Sequence, residues 1–167
     1  VQELLITQVQ YVEGEFRNMG YGVPQGTSTI LAADTSSMTF LMDAGRDGII
    51  DTLRYEMGSI SELSRTQNEM DRFLRRILKE PAGTSVTNTG VVTYFHLRYI
   101  TATGDSLVTP VASTDLGRIK EVEMSMEVQN PYALYRPRNM VAAGERDALY
   151  SPSYWQPTRL ASQNFRR

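Results

Sequence analysis

The sequence contains no cysteine and a single histidine, His96. A disulfide framework, a thiolate zinc site and a cysteine nucleophile are therefore excluded, and so is a multi-histidine metal centre. A surplus of one charge is missing as well: seventeen basic side chains stand against nineteen acidic ones, for a net charge of -2. Surfaces that grip phosphate backbones carry a basic surplus, so no nucleic-acid partner is expected. No stretch approaches the ~18 consecutive apolar residues of a membrane-spanning helix, and no basic-then-apolar secretory signal opens the chain. Phosphate-cradling glycine loops are absent, as is a G-x-S-x-G nucleophile elbow. No enzyme and no cofactor are expected from this inventory.

What is present suits one domain with a true core: 167 residues, 41% apolar and 22% charged. Leu5, Val9, Val12, Phe16 and Met19 recur at helical spacing and draw one apolar stripe along residues 1–19. Glu3, Gln10, Glu13, Glu15 and Arg17 fall between them and are expected to face water. Gly20, Gly22 and Pro24 end the helix. No N-cap precedes the stripe, and Val1 is already in register, so the helix reads as the lower end of a longer rod or as a native terminal helix with a frayed start.

Beyond Pro24 the texture turns to β. Thr29–Ala32, Met38–Met42 and Ile49–Met57 read as strands, the last two joined by a turn near Gly45–Gly48. Gly90–Thr101 reads as one strong strand. Ile119–Val128 alternates with period two: Val122, Met124, Met126 and Val128 on a dry face, Glu121, Glu123, Ser125 and Glu127 on a wet one. Met70–Leu78 fits a helix by spacing, although Phe73–Leu78 also suits a strand. Residues 131–167, rich in proline and aromatics, read as a loop-rich tail with a short edge strand at Thr158–Ala161. The layout is a single α+β domain: helix 1–19, a mostly antiparallel sheet region over 25–130, then the tail.

Three constellations carry the chemical candidates. Asp43, Asp47, Gly48 and Asp51 fall at calcium-loop spacing, since calcium wants six or more oxygens and alternate carboxylates on a tight turn supply them. Gly45 offers no oxygen at the third position and Arg54 replaces the closing acid, which favours the other reading of the same residues, a polar hairpin loop with solvated acids. Arg72, Arg75, Arg76 and Lys79 form a basic cluster, read as an anion-friendly patch or as surface charge balancing Glu62, Glu69 and Asp71. The helix stripe Leu5, Val9, Val12, Phe16 and Met19 is the third, a packing face for a sheet.

Arg17-Asn-Met-Gly20-Tyr-Gly is similar to the helix exit of type IV pilin-like proteins, in particular minor pilins and pseudopilins of the PilW and GspJ kind. Met38-Thr-Phe-Leu-Met-Asp43, Asp47-Gly48 and Asp51-Thr-Leu-Arg-Tyr55 resemble their hairpin. Thr66-Gln-Asn68, Asp71 and Leu74-Arg-Arg76 resemble the next turn and strand. Gly90-Val-Val, Phe95-His-Leu-Arg-Tyr99 and Gly104 resemble the central strand, Ile119 and Val122 to Val128 the later one, and Gln163-Asn164-Phe165 the family's ending. The resemblance favours a strand over 70–78.

It implies a helix packed on a mostly antiparallel sheet, and assembly rather than catalysis. Other pilin or pseudopilin subunits are the implied partners, in a type IV pilus or a type II secretion pseudopilus. A prepilin peptidase is the implied processing enzyme, and an apolar half-helix ahead of Val1 the implied anchor in the bacterial inner membrane. The head would then be periplasmic or part of an extracellular filament. The competing reading is an extracellular binding or adhesion module, calcium-assisted through Asp43, Asp47 and Asp51.

Overall fold

A computed structural model of the chain describes residues 2–63, 66, 68–130 and 152–166. Helix α1 (Gln2–Arg17) is followed by β1 (Ile30–Ala33), β2 (Ser37–Met42), β3 (Asp51–Met57), β4 (Arg72–Glu80), β5 (Gly83–Val92), β6 (Tyr94–Thr101), β7 (Ile119–Gln129) and β8 (Pro152–Leu160). The strands form a five-stranded sheet in the order β1-β2-β3-β4-β5 and a three-stranded sheet in the order β6-β7-β8. Every neighbouring pair is antiparallel. The α+β class expected from the sequence is present, with more sheet than helix.

The stripe of α1 folds as its spacing dictates. Leu5, Val9, Val12, Phe16 and Met19 are all buried, each worth roughly 1.5–3 kcal/mol relative to exposure. The Phe16 ring packs edge-on against Phe40 of β2 and Tyr55 of β3, with centroids 5.8 and 5.5 Å away. The same helix also packs against β7 and β8. It thus closes both sheets at once. Met38, Phe40, Leu53, Tyr55 and Leu74 line the larger sheet beneath it, and Phe95, Leu97, Val122, Met124 and Met126 the smaller.

Two sequence readings need correction, and one open alternative is decided. Of the two readings of Met70–Leu78 the strand is the one observed, beginning at Arg72: β4 pairs with β3 on one side and β5 on the other. Its apolar residues lie on both faces, Leu74 and Leu78 inward and Phe73 and Ile77 outward, and that mixture imitates a helical period. Gly90–Thr101 is not one strand but the end of β5 and all of β6, which belong to different sheets. Thr93 is the corner; its N–H donates to Glu127 O at 2.9 Å, tying the end of β5 to β7. Finally, the tail contributes a full strand, β8, and so extends the sheet region beyond residue 130. The expected loops over 131–151 lie outside the described residues.

Candidate functional site

Glu13 and Glu15 lie two residues apart on α1, so they leave the helix about 200° from each other. Both were expected to face water; neither does. Glu15 reaches the larger sheet, where its Oε1 accepts from Arg76 Nη2 at 2.6 Å and both its oxygens accept from Arg76 Nε at 2.9 Å. The Tyr55 hydroxyl donates to the same carboxylate. Glu13, 6% exposed, reaches the smaller sheet, where Trp155 Nε1 donates to its Oε1 at 3.2 Å. Arg17, one turn along the helix, meets its other oxygen at 3.4 Å. Each flank of the apolar stripe therefore carries a carboxylate that fastens the helix to a different sheet.

Desolvation explains the chemistry of this clamp. Burial, reinforced by the Glu15 carboxylate beside it, holds the Tyr55 phenol protonated far above the ordinary tyrosine range. The hydrogen bonds to Glu15 hold the Arg76 guanidinium charged. A two-pronged arginine–carboxylate contact is the strong form of this interaction, because the planar fork fixes geometry as well as charge. Nearer the start of the helix, Gln8 is buried and donates from Nε2 to Val91 O of β5 at 3.4 Å. Any side chain at Gly90 would run into Gln8, with a Cβ only 2.1 Å from its Nε2.

The exit of the helix is fixed just as firmly. Gly20 and Gly22 hold φ of 77° and 76°, the left-handed conformation that only glycine adopts freely. Gly20 N donates to Leu41 O, and Asp43 N to Tyr21 O, both at 2.8 Å. From the other end of the chain, Asn164 Nδ2 donates to Met19 O at 2.9 Å, and Ser162 Oγ donates to the same carbonyl. The C-terminal segment thus caps the helix.

The aspartates of the 43–51 turn hydrogen-bond to the backbone of their own loop. Asp43 accepts from the backbone N–H groups of Asp47 and Gly48 at 3.1 and 2.9 Å. Asp51 accepts from Ala44 N at 3.1 Å, and Asp47 from Ile49 N at 2.9 Å. These carboxylates organise their own loop beside the helix exit. No group of three or more His, Cys, Asp or Glu side chains that could hold a metal ion occurs among the described residues.

The basic cluster is divided. Arg72 and Arg76 share the inward face of β4, as an extended chain requires, whereas Arg75 and Lys79 face outward. Arg76 is consumed by Glu15, Arg75 pairs with Glu62 and stands 4.0 Å from Glu56, and Lys79 is exposed. No continuous anion-binding patch results. His96 lies half-buried on β6 with its ring stacked on Tyr94 at 5.7 Å.

Sequence reasoning missed Glu13, Glu15, Tyr55 and Trp155. One signal was available: Leu4, Ile6 and Tyr11 sit where a simple amphipathic helix places polar groups. They are 50%, 42% and 50% exposed. With acids on the buried flanks and apolar residues outside, α1 departs from the usual pattern on both faces.

One helix clamped across antiparallel sheets, leaving through a glycine-rich exit and capped by the C-terminal segment, defines a pilin-like fold. The solved structure of the type IV-like pilin TTHA1219 from Thermus thermophilus has the same fold, with a TM-score of 0.55 at 12% sequence identity over 99% of this chain and 98% of that one. No family model and no curated protein matches the sequence.

Proposed function

We propose that this chain is the head of a non-catalytic pilin-type structural subunit that assembles through α1. The observation that carries the reading is the two-sided helix. Its inner stripe and paired carboxylates bind it to its own sheets, while Leu4 and Tyr11, two turns apart and about 20° from each other around the helix, offer an apolar patch outward, with Ile6 exposed on the opposite flank. Thr7 and Gly14 border this patch, and nothing stands within 4 Å of where a Gly14 side chain would begin. Small residues among apolar ones let a neighbouring helix approach closely. A catalytic role finds no support in the clamp, where the charged groups neutralise each other.

Within this reading the subunit is a minor pilin or pseudopilin of the PilW or GspJ kind, in a type IV pilus or a type II secretion pseudopilus. Its partners are other subunits of the same class. An apolar half-helix preceding Val1 anchors it in the inner membrane until a prepilin peptidase releases it for assembly, with the head in the periplasm or on an extracellular filament. Among the described residues no helix is long and apolar enough to cross a membrane, so the anchor is sought in the natural gene ahead of Val1.

The test is in-cell cross-linking. Single Leu4→Cys and Tyr11→Cys variants of the full gene product, the only thiols in this stretch of chain, are expected to couple to other pilin-type subunits in the membrane fraction. Uncoupled protein in a soluble fraction, with no apolar segment encoded upstream, would overturn the proposal.

A further inference from the structure

Sheet edges offer unpaired N–H and C=O groups to any other strand, and proteins blunt them with bulges, proline, charge or a covering loop. Three edges of this fold show such treatment or cover. Strand β1 has four residues, is bulged between Ile30 and Ala32, and has its Ala33 carbonyl taken by Val111 N at 2.9 Å. Strand β6 receives Thr35 O on Leu97 N at 2.7 Å, and its Tyr99 carbonyl accepts from Leu107 N at 2.9 Å. Strand β8 runs against α1. Strand β5 is different. It has ten residues, pairs with β4 alone among the described residues, and is exposed from Gly83 through Asn88. The run Gly83-Thr-Ser-Val-Thr-Asn-Thr89 contains no charge and no proline, and its bulge falls beyond Asn88.

The same run is nearly symmetric about Val86. We infer that β5 is an interface for a second copy of this chain, the two β5 strands pairing antiparallel about a two-fold axis at Val86. In that register Thr84 faces Asn88 of the second copy, Ser85 faces Thr87, and the two valines face each other. Hydroxyl pairs and β-branched pairs are favourable cross-strand neighbours.

The backbone agrees. The β4–β5 hairpin closes with Glu80 opposite Gly83 around a two-residue loop, so Gly83 bonds inward, and Thr84, Val86 and Asn88 turn their N–H and C=O outward. These are the residues that the two-fold register opposes. Val86, 61% exposed, stands beside Ile77 across the sheet; pairing makes a row Ile77, Val86, Val86, Ile77 that covers both valines. Lys79 and Arg75 of the second copy fall in one row but three strand spacings, roughly 14 Å, apart, where salt screens them. A two-fold contact closes on itself, so the product is a dimer and not a polymer. It joins two heads side by side and does not depend on assembly through α1.

An interface of one strand pair is small, and the dimer is reversible. Sedimentation of the chain from about 10 µM to about 1 mM is expected to show monomer passing to dimer. Val86→Lys sets two like charges at the axis and should raise the dissociation constant roughly tenfold, with an unchanged melting curve because Val86 is exposed. The chain has no native thiol, so Val86→Cys reports the axis directly: opposed Cα atoms of about 5.5 Å lie within disulfide reach. Mild oxidation should couple V86C at least tenfold faster than V108C, whose parent Val108 is 86% exposed and off this edge. A chain still monomeric at 1 mM, equal coupling of the two cysteine variants, or species growing beyond a dimer would each overturn the inference.

Discussion

Glu15 meets a full positive charge across the core, whereas Glu13 meets an indole N–H and the mostly exposed Arg17. The difference sets what each removal costs. With Glu15 and Arg76 only 16% and 13% exposed as side chains, deleting one partner strands the other charge in a poorly solvated place, a loss of about 3–5 kcal/mol. Arg76→Met is therefore expected to lower stability by that order in urea unfolding, and Glu15→Met with it to cost well under the sum of the singles, a coupling of roughly 1–3 kcal/mol. Strict additivity would show that the pair contributes nothing as a pair.

Tyrosine supplies the pH dependence. Burial, then the Glu15 carboxylate, raises Tyr55; burial raises Tyr99, whose hydroxyl donates to Asp34 O at 2.7 Å. Below the ordinary value of 10.0, folded and unfolded chains both hold these protons and stability is full. Above it the unfolded chain releases protons that the folded chain keeps, so stability falls as pH rises, by up to about 1.4 kcal/mol per pH unit for each phenol. Melting temperatures measured from pH 9 to 12 (roughly the accessible span) should decline more steeply for the wild type than for Tyr99→Phe. Parallel declines would place the alkaline sensitivity elsewhere.

At the scale of elements, α1 was legible because its stripe has one period and one destination. Val12 and Phe16 lie where that spacing puts them, at 0% exposure. Phe16→Asp sets a carboxylate between Phe40 and Tyr55 and is expected to abolish the cooperative melting transition; an ordinary transition near the wild-type temperature would contradict the packing role. Strand β4 was ambiguous because its two faces are both partly apolar. The division at Thr93 was unreadable because neither glycine nor proline marks it, and a threonine turns the corner through hydrogen bonds to Glu127. The first half of β5 escaped notice for the opposite reason: polar on both faces, it shows no alternation. Glu13 and Glu15 were misassigned to water because a period locates the centre of a buried face, not its width. Two sheets meeting one helix widen that face until it takes in both carboxylates.

For the whole molecule, the helix is the element both sheets share. It joins the larger sheet through Phe16, Glu15 and Gln8, and the smaller one through Glu13 and its contacts with β7 and β8. The C-terminal segment then closes over Met19. Such an arrangement lets a pull on α1 reach both sheets. It also ties the stability of the helix to that of the fold, since short helices hold little stability of their own. Native-state hydrogen exchange measures this directly. The amides of Val9, Val12 and Phe16 are expected to exchange as slowly as those of Leu53 and Met124, only through global unfolding. Exchange of the helix amides orders of magnitude faster than those strand amides would show that α1 leaves the sheets while they stay folded, and would contradict the clamp.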